Sequence, residues 1–205
     1  CALLVERFLP LSVPQLRISD IRRAMAMVAD RFYGQPTKQL RLIGVTGTNG
    51  KTTTTYVLEK IFSDAGYKTG LVGTIQHKVG DQWIPSRNTT PDALDLQEMF
   101  RRMVDAGTDY AVMEVSSHAL ELGRVRGCFF GAAIFTNLSR DHLDFHGTMD
   151  DYLHAKSLLF SGLGNSYGDR PQFAVLNADD PSSQRMAQVT AQPVLTYGVQ
   201  NPADV

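Results

Sequence analysis

A glycine-rich loop constrains this chain more than any other feature of its sequence. The loop spans residues 44–53, after the apolar run 40–45 and at the start of a helical stretch, 52–65. Its glycines let backbone N–H groups point into a turn without a Cβ clash, and a helix N-terminus behind them attracts anions. In such a loop Lys51 reaches the outer phosphates of a nucleotide and the Thr52 hydroxyl binds Mg²⁺. The loop therefore predicts a nucleoside triphosphate site.

The loop departs from the strict phosphate-loop pattern at one position. That pattern places a glycine five residues before Gly50, but Val45 stands there, and Gly44 and Gly47 flank it instead. The prediction therefore rests on the Gly-Lys-Thr core. The alternative, that these glycines only join a strand to a helix, stays open at this point.

Strands alternate with helices along the rest of the chain. Strands are predicted at 71–75, 109–115, 131–136 and 173–176, and helices at 19–32, 90–106 and 148–159. Thr90 is expected to cap the second helix, with Pro91 at its first position and Gly107 at its end. Thr148 opens the third helix through a capping box. This alternation predicts an α/β fold of the P-loop NTPase type, a mostly parallel sheet with helices on both faces.

The composition fits a folded globular protein and excludes several classes. Hydrophobic residues make up 43% of the 205, which is enough for a full core. A net charge of −1 provides no basic field for nucleic acid or anionic lipid, and no apolar run is long enough to cross a bilayer. The chain has only two cysteines, Cys1 and Cys128. We therefore expect a reduced, cytoplasmic protein with no nucleic-acid or membrane partner.

Both ends of the sequence look cut. The amphipathic helix 19–32 and a short linker precede the first strand of the main unit. We expect residues 1–38 to be the end of a preceding domain with its linker. Residues 39–205 are then a truncated central ATP-binding domain.

Polar side chains follow two of the other predicted strands. Glu114 lies near the end of the strand 109–115, where P-loop folds place the carboxylate that holds Mg²⁺, although an ordinary exposed glutamate is the alternative. Asn137 follows the next strand, and His142 comes directly after Asp141. Ligands of open α/β sheets bind at the carboxyl ends of strands. His142 is therefore expected to bind a metal or contact the phosphate end of the nucleotide.

Four separated segments together resemble the Mur ligase family. They are Thr46-Gly-Thr-Asn-Gly-Lys-Thr-Thr, Asn88-Thr-Thr-Pro-Asp, Glu114-Val-Ser-Ser-His, and Thr136-Asn-Leu-Ser-Arg-Asp-His-Leu-Asp followed by Ala155-Lys156. The resemblance runs from about residue 20 to 180. It implies an enzyme of three domains, of which this chain holds the end of the first and the central one, whereas the C-terminal domain is absent.

The resemblance also implies a role for each matching residue. ATP is held by Gly47, Thr48, Asn49, Gly50, Lys51, Thr52, Thr53 and Asn137, and the muramoyl substrate by Asn88, Thr89, Thr90, Ser116 and Arg124. Two Mg²⁺ ions are implied, one bound by Thr52 and Glu114 and the other by Glu114, His142 and Lys156. Catalytic roles fall to Lys51, His142 and Lys156.

Lys156 is an unusual metal ligand, because an ammonium group repels Mg²⁺. The family carries this lysine as a carbamate, in which CO₂ has converted the amine into an oxygen-donor anion suited to a hard cation. Judged from its place in the helix alone, a solvated surface lysine is the alternative.

The resemblance implies an ATP-dependent amide ligase that acts as a monomer. It adds diaminopimelate, lysine or another amine to UDP-N-acetylmuramoyl-L-alanyl-D-glutamate through an acyl phosphate, in peptidoglycan synthesis. The fragment alone is expected to be inactive in ligation. The alternatives are a folylpolyglutamate synthetase-like ligase, a P-loop kinase or nucleotide switch, and a binding module without catalysis.

Overall fold

The computed structural model describes residues 2–163 and 170–205, so Cys1 lies outside the described residues. In chain order the strands are β1 (Leu3–Val5), β2 (Gln15–Arg17), β3 (Arg41–Thr46), β4 (Thr69–Val72), β5 (Gln76–Val79), β6 (Gln82–Pro85), β7 (Tyr110–Glu114), β8 (Phe130–Phe135), β9 (Phe173–Asn177) and β10 (Val194–Tyr197). The α-helices are α1 (Ile21–Phe32), α2 (Lys51–Asp64), α3 (Ala93–Asp105), α4 (Ser117–Glu121), α5 (Leu143–His146), α6 (Met149–Ser161) and α7 (Ser183–Val189).

One large sheet organises the described residues, with strand order β10-β9-β8-β3-β7-β4-β5-β6. The strands from β10 to β4 are parallel, and β5 and β6 form an antiparallel hairpin at one edge. The predicted mostly parallel sheet is confirmed. The hairpin was not predicted, because residues 76–85 are mostly polar and lack an apolar run. Gly80, at φ 57°, supplies its tight turn.

The central strand of the sheet is β3, which pairs with β7 on one side and β8 on the other. Leu42 and Val45 of β3 are fully buried, as expected of a strand with neighbours on both sides. The register places Val45 opposite Glu114 and Thr46 opposite Phe135. The carboxyl ends of β3, β7 and β8 therefore lie level, and the loops that follow them meet at one edge of the sheet.

The crossover connections place helices on both faces of the sheet. Helix α2 leads from β3 to β4 and contacts β7, over which it passes. Helix α3 leads back to β7 in the opposite direction along the sheet. Because such crossovers are right-handed, the two helices lie on opposite faces.

The third predicted helix begins as expected, but the second does not. Thr148 accepts a hydrogen bond from the Asp151 amide at 3.1 Å and caps α6, as predicted. The predicted cap at Thr90 is wrong, because α3 begins at Ala93 with Asp92 as its N-cap. The Thr90 hydroxyl instead donates to the Glu114 carbonyl at 2.9 Å. A contact between distant segments replaces the local cap.

The N-terminal segment lies outside the large sheet. Strands β1 and β2 pair with each other as a separate parallel sheet, and α1 packs against α3. Asp20 caps α1 by accepting a hydrogen bond from the Arg23 amide at 2.9 Å. Among the described residues, no helix has the length and apolar character needed to cross a membrane.

Two leucines of α3 test the orientation of this helix against the sheet. Leu96 is fully buried in the core, whereas Leu94 is 46% exposed. We expect Leu96→Ala to lower the free energy of unfolding by about 2–5 kcal/mol, because it leaves a cavity, and Leu94→Ala to lower it by less than about 1 kcal/mol. Urea denaturation of both variants checks this. Equal losses of unfolding free energy in the two variants would contradict the burial of Leu96 and the exposure of Leu94.

Candidate functional site

The loops that follow β3, β4, β7 and β8 enclose a cavity of about 280 Å³ at the carboxyl edge of the sheet. Its lining residues are Thr48, Asn49, Gly50, Lys51, Thr52, Thr53, Thr74, Thr89, Glu114, Ser116, Ser117, His142 and Lys156. Most of the residues predicted to bind nucleotide or metal therefore share one cavity. Open α/β sheets bind their ligands at this position.

Gly47 lets the glycine-rich loop approach the strand end next to it. Its φ of 148° lies where side chains are disfavoured, and an added Cβ would lie 1.9 Å from the Thr136 Oγ1. The Thr136 hydroxyl donates to the Asn49 carbonyl at 2.7 Å. A larger residue at position 47 would therefore push the loop away from β8.

Asn137 holds the same loop from outside the cavity. Its side-chain oxygen accepts a hydrogen bond from the Asn49 amide at 3.0 Å, and its side-chain nitrogen donates to the Asn49 carbonyl at 3.1 Å. Its own carbonyl accepts from the Thr48 amide at 2.8 Å. The structure thus places this predicted ATP contact against the loop backbone, where it fixes the loop conformation.

Lys51 begins α2 and folds back over its own loop. Its Nζ donates to the Gly47 carbonyl at 2.9 Å and to the Thr48 carbonyl at 2.8 Å. Burial lowers the pKa of Lys51, and the nearby carboxylates of Glu114 and Asp141 oppose that effect. The amine is held by carbonyl oxygens and faces the cavity.

Glu114 ends β7 with its side chain only 1% exposed, so the exposed strand-end alternative is wrong. Its carboxylate accepts hydrogen bonds from the Thr52 hydroxyl at 2.9 Å, the Thr74 amide at 2.8 Å and the Thr74 hydroxyl at 3.0 Å. Among the described residues, no ion pair involves this carboxylate. A buried carboxylate satisfied only by neutral donors still has its negative charge available for a cation.

The spacing of Thr52 and Glu114 suits Mg²⁺. Adjacent ligands of an octahedral Mg²⁺, at 2.0–2.1 Å from the ion, are about 3 Å apart. Thr52 Oγ1 and Glu114 Oε2 are separated by 2.9 Å. Both are oxygens, the ligand type that this cation prefers. The pair therefore fits two adjacent positions of an octahedral magnesium site.

Lys156 is buried within α6, with a relative exposure of 1%, so the surface-lysine alternative is wrong. Its Nζ donates to the Gly47 carbonyl at 2.9 Å and lies 4.5 Å from the centre of the Tyr152 ring. Burial, and next the charge of Lys51, lower the pKa of Lys156 to about 7, whereas Asp141 opposes this effect. Near neutral pH a large fraction of this amine is therefore uncharged.

His142 completes the predicted ligand set at the mouth of the cavity. It has a left-handed backbone at φ 52°, and its amide donates to its neighbour Asp141 at 2.8 Å. In the part of the chain that the structure describes, no three His, Cys, Asp or Glu side chains converge as a metal cluster. Glu114, His142 and Lys156 line one cavity, but an unmodified lysine amine adds no oxygen ligand to that set.

Two further histidines lie behind His142. The His118 ring centre is 5.0 Å from that of His142 and 5.5 Å from that of His146. His146 is buried, and its Nε2 lies 2.9 Å from the Ser117 hydroxyl. Burial first, and then neighbouring imidazoles, lower the pKa of both His118 and His146. Both rings are therefore biased toward the neutral form, and the cavity lining includes neither of them.

The five residues predicted to hold the muramoyl substrate lie in different environments. Thr89 and Ser116 line the cavity. Arg124 pairs with Asp92 at 2.9 Å and donates to the Thr90 carbonyl at 3.1 Å, so it braces the loop before α3. Thr90 is itself buried, and Asn88 is exposed outside the cavity lining.

Three further residues that contact this site were not predicted from the sequence. Thr74 and Ser117 line the cavity, and the Tyr152 hydroxyl lies 3.1 Å from the Thr48 hydroxyl. Thr74 follows a buried strand, so the rule that located Glu114 could also have found it. Tyr152 is four residues before Lys156 on α6, a spacing that places both on one face of the helix.

Comparison with known proteins supports the resemblance to the Mur ligase family. Residues 45–205 match the family model described as the Mur ligase middle domain. The chain is 58% identical over its whole length to the UDP-N-acetylmuramoyl-L-alanyl-D-glutamate–2,6-diaminopimelate ligase of Bacillus licheniformis, of which it covers 42%. A solved structure of a ligase with that name superimposes with a TM-score of 0.85 at 35% identity, covering 99% of this chain and 41% of that one.

A more distant structure shares the fold alone. FolC of E. coli, solved in complex with DHPP and ADP, superimposes with a TM-score of 0.62 at 21% identity, covering 93% of this chain and 49% of that one. The chain spans about two fifths of the length of the curated relatives it matches. The phosphate loop, the buried strand-end carboxylate and the family match together show that this chain belongs to the Mur ligase family.

Proposed function

We propose that the protein containing this chain is an ATP-dependent ligase of peptidoglycan synthesis. It joins 2,6-diaminopimelate to UDP-N-acetylmuramoyl-L-alanyl-D-glutamate, and residues 39–205 hold its nucleotide site. The 58% identity to a ligase with this name supports the choice of substrates. The observation that supports the chemistry most directly is the buried Lys156 amine, which shares the Gly47 carbonyl with Lys51 beside the Glu114 carboxylate.

The loop and Lys51 bind the phosphates of ATP in this proposal. The N-terminus of α2 directs backbone N–H groups toward the cavity, and Lys51 adds a positive charge there. Asn137 and Thr136 hold the loop in its observed conformation from outside the cavity lining. Because the fold already orders this loop, nucleotide binding loses less conformational entropy.

Thr52 and Glu114 hold a magnesium ion, since their oxygens have the spacing that it needs. When bound, the metal neutralises phosphate charge and stabilises the charge that develops during phosphoryl transfer. Glu114 keeps its orientation through the Thr74 amide at 2.8 Å. The protein thus holds the carboxylate in one orientation, and the bound nucleotide takes its position relative to that carboxylate.

Lys156 becomes a carbamate in this proposal. Its uncharged amine attacks the carbon of CO₂, an N–C bond forms as one C=O π bond opens onto oxygen, and one proton leaves to solvent, so that a neutral amine becomes an anion. The carbamate retains one N–H, which can still donate to the Gly47 carbonyl. The positive charge of Lys51 then stabilises the new anion. With Glu114 and His142, this anion provides the ligands for a second Mg²⁺.

The reaction then proceeds through an activated carboxylate. The D-glutamate side chain attacks the γ-phosphorus of ATP, the bond to ADP breaks, and an acyl phosphate forms. The amine of 2,6-diaminopimelate displaces phosphate from the acyl carbon to give the amide. Lys51 offsets the negative charge of the two reacting anions. Thr89 and Ser116, on the cavity wall, are placed to hold the muramoyl substrate, with Asn88, Thr90 and Arg124 shaping the loop beside them.

Lys51→Ala is expected to remove nucleotide binding, because the outer phosphates lose their cation. Lys60→Ala, an exposed change on the same helix, should bind ADP as the unmodified protein does. Isothermal titration with ADP and Mg²⁺ measures both variants. Retention of ADP affinity in Lys51→Ala would count against the phosphate-loop assignment.

Lys156→Ala in the full-length enzyme is expected to lower kcat by at least about 10²-fold, because a ligand of the metal site is lost. Short carboxylic acids should restore part of the activity by occupying the space that the side chain leaves. His154→Ala, an exposed change on the same helix, serves as the control. Normal turnover of Lys156→Ala in phosphate-release assays would disprove the carbamate role.

The lowered pKa of Lys156 makes stability depend on pH in CO₂-free buffer. The folded state releases this proton near pH 7, whereas the unfolded state holds it up to about 10.5. The contribution of Lys156 to the free energy of unfolding should therefore rise between these values, by up to ~1.4 kcal/mol per pH unit, and be flat below pH 7. Urea denaturation of the protein and of Lys156→Met isolates this contribution. Equal slopes in both proteins would contradict the pKa shift.

A further inference from the structure

We propose that Thr74 is a positioning residue that holds the metal-binding carboxylate of Glu114 and links it, through Thr89, to residues 86–92, the substrate loop that connects β6 to α3. This inference rests on the proposed function, since it concerns the same cavity. Thr74 belongs to neither the phosphate loop nor the segments that resemble substrate-binding motifs. It follows β4, which pairs with β7, and that pairing brings it beside Glu114.

Thr74 contacts both oxygens of the Glu114 carboxylate. Its amide donates to Oε1 at 2.8 Å and its hydroxyl donates to Oε2 at 3.0 Å. The preceding residue, Gly73, makes this approach possible, because a Cβ there would lie 2.7 Å from Glu114 Oε1. One residue thus fixes both the position and the rotation of the carboxylate.

The hydrogen bonds of Thr74 have a definite direction. Its hydroxyl has one proton, which it gives to Glu114, so it can only accept from the Thr89 hydroxyl, 3.1 Å away. The resulting chain runs from Thr89 through Thr74 to Glu114. Thr89 belongs to the substrate loop and lines the cavity. A contact that orients the Thr89 hydroxyl therefore also favours the observed orientation of Glu114.

Thr52 cannot replace Thr74 in this role. Its hydroxyl also donates to Glu114 Oε2, at 2.9 Å, but the Thr52 oxygen is itself a predicted magnesium ligand. The amide of Thr74 contacts the other carboxylate oxygen and has no competing role. The amide of Thr74 therefore keeps Oε1 in place whether or not the metal site is filled, while its hydroxyl fixes the rotation that presents Oε2 to the metal.

This arrangement couples the substrate loop to the metal site. If an ordered Thr89 favours the carboxylate orientation that binds metal, then metal binding favours the ordered Thr89 by the same factor. A hydrogen bond to a charged group changes binding by about tenfold or more. Muramoyl substrate and Mg²⁺ should therefore each strengthen the binding of the other.

The test compares ADP binding with and without metal in the full-length protein. Isothermal titration gives the factor by which saturating Mg²⁺ tightens ADP binding, relative to EDTA. In Thr74→Val this factor should fall about tenfold, while ADP affinity in EDTA stays unchanged. Thr74→Ser should stay within about twofold of the unmodified protein. Thr54→Val, the same chemical change on α2 outside the cavity lining, should have no effect.

A second measurement addresses the link to the substrate loop. Addition of UDP-N-acetylmuramoyl-L-alanyl-D-glutamate should increase the Mg²⁺ effect in the unmodified protein and in Thr74→Ser, but not in Thr74→Val. Thr89→Val should lose the increase even at substrate concentrations that saturate the variant, and Thr74→Ala provides the test of the Mg²⁺ effect if Thr74→Val fails to fold.

The outcomes separate this inference from the proposed function. A Thr74→Val protein with the full Mg²⁺ effect overturns the inference alone. Loss of ADP affinity in EDTA also overturns it, because Thr74 would then act on the loop in general. An unmodified protein whose ADP binding ignores Mg²⁺ overturns both proposals.

Discussion

Two lysine amines share one carbonyl oxygen in this structure, and the chemistry of the site depends on that contact. Lys51 and Lys156 each donate to the Gly47 carbonyl at 2.9 Å. Two ammonium groups so close together, with no carboxylate paired to either among the described residues, repel each other in a buried setting. Burial, and next the charge of Lys51, lower the pKa of Lys156 to about 7, and loss of its proton relieves this repulsion. A lysine near that pKa provides the uncharged amine that reaction with CO₂ requires.

The sheet register makes this contact possible. The ends of β3, β7 and β8 are level, so the loop after β3 lies between Glu114 on one side and Thr136 on the other. Gly47 allows the close approach to β8, and Gly73 allows the close approach of the β4 loop to Glu114. Two glycines in neighbouring loops therefore set the distances at which the charged groups of the site meet.

Much of this site was predictable because its parts are local. The phosphate loop is a continuous stretch between a strand and a helix, and Glu114 lies at a strand end, where parallel sheets gather ligands. The α/β alternation likewise follows from the order of apolar runs and helix caps. The burial of Lys156 was harder to predict from the sequence. Its signal is a spacing of four residues, because Tyr152, Lys156 and Phe160 all lie on the buried face of α6.

Other features depend on contacts between distant segments, which a local pattern does not contain. Thr90 has the sequence context of a helix cap, yet a tertiary hydrogen bond to the Glu114 carbonyl takes its hydroxyl. The role of Thr74 depends on the pairing of β4 with β7, 40 residues further along the chain. The hairpin β5–β6 has too few apolar residues to be recognised before its neighbour β4 is known.

The central claim of this account is that the buried amine of Lys156 combines with CO₂. The most direct measurement is ¹³C NMR of the full-length protein in ¹³C-labelled bicarbonate, with Mg²⁺ and a non-hydrolysable ATP analogue present. We expect a carbamate resonance in the unmodified protein that is missing from Lys156→Met. The absence of that resonance from the unmodified protein, or its persistence in Lys156→Met, would contradict the account.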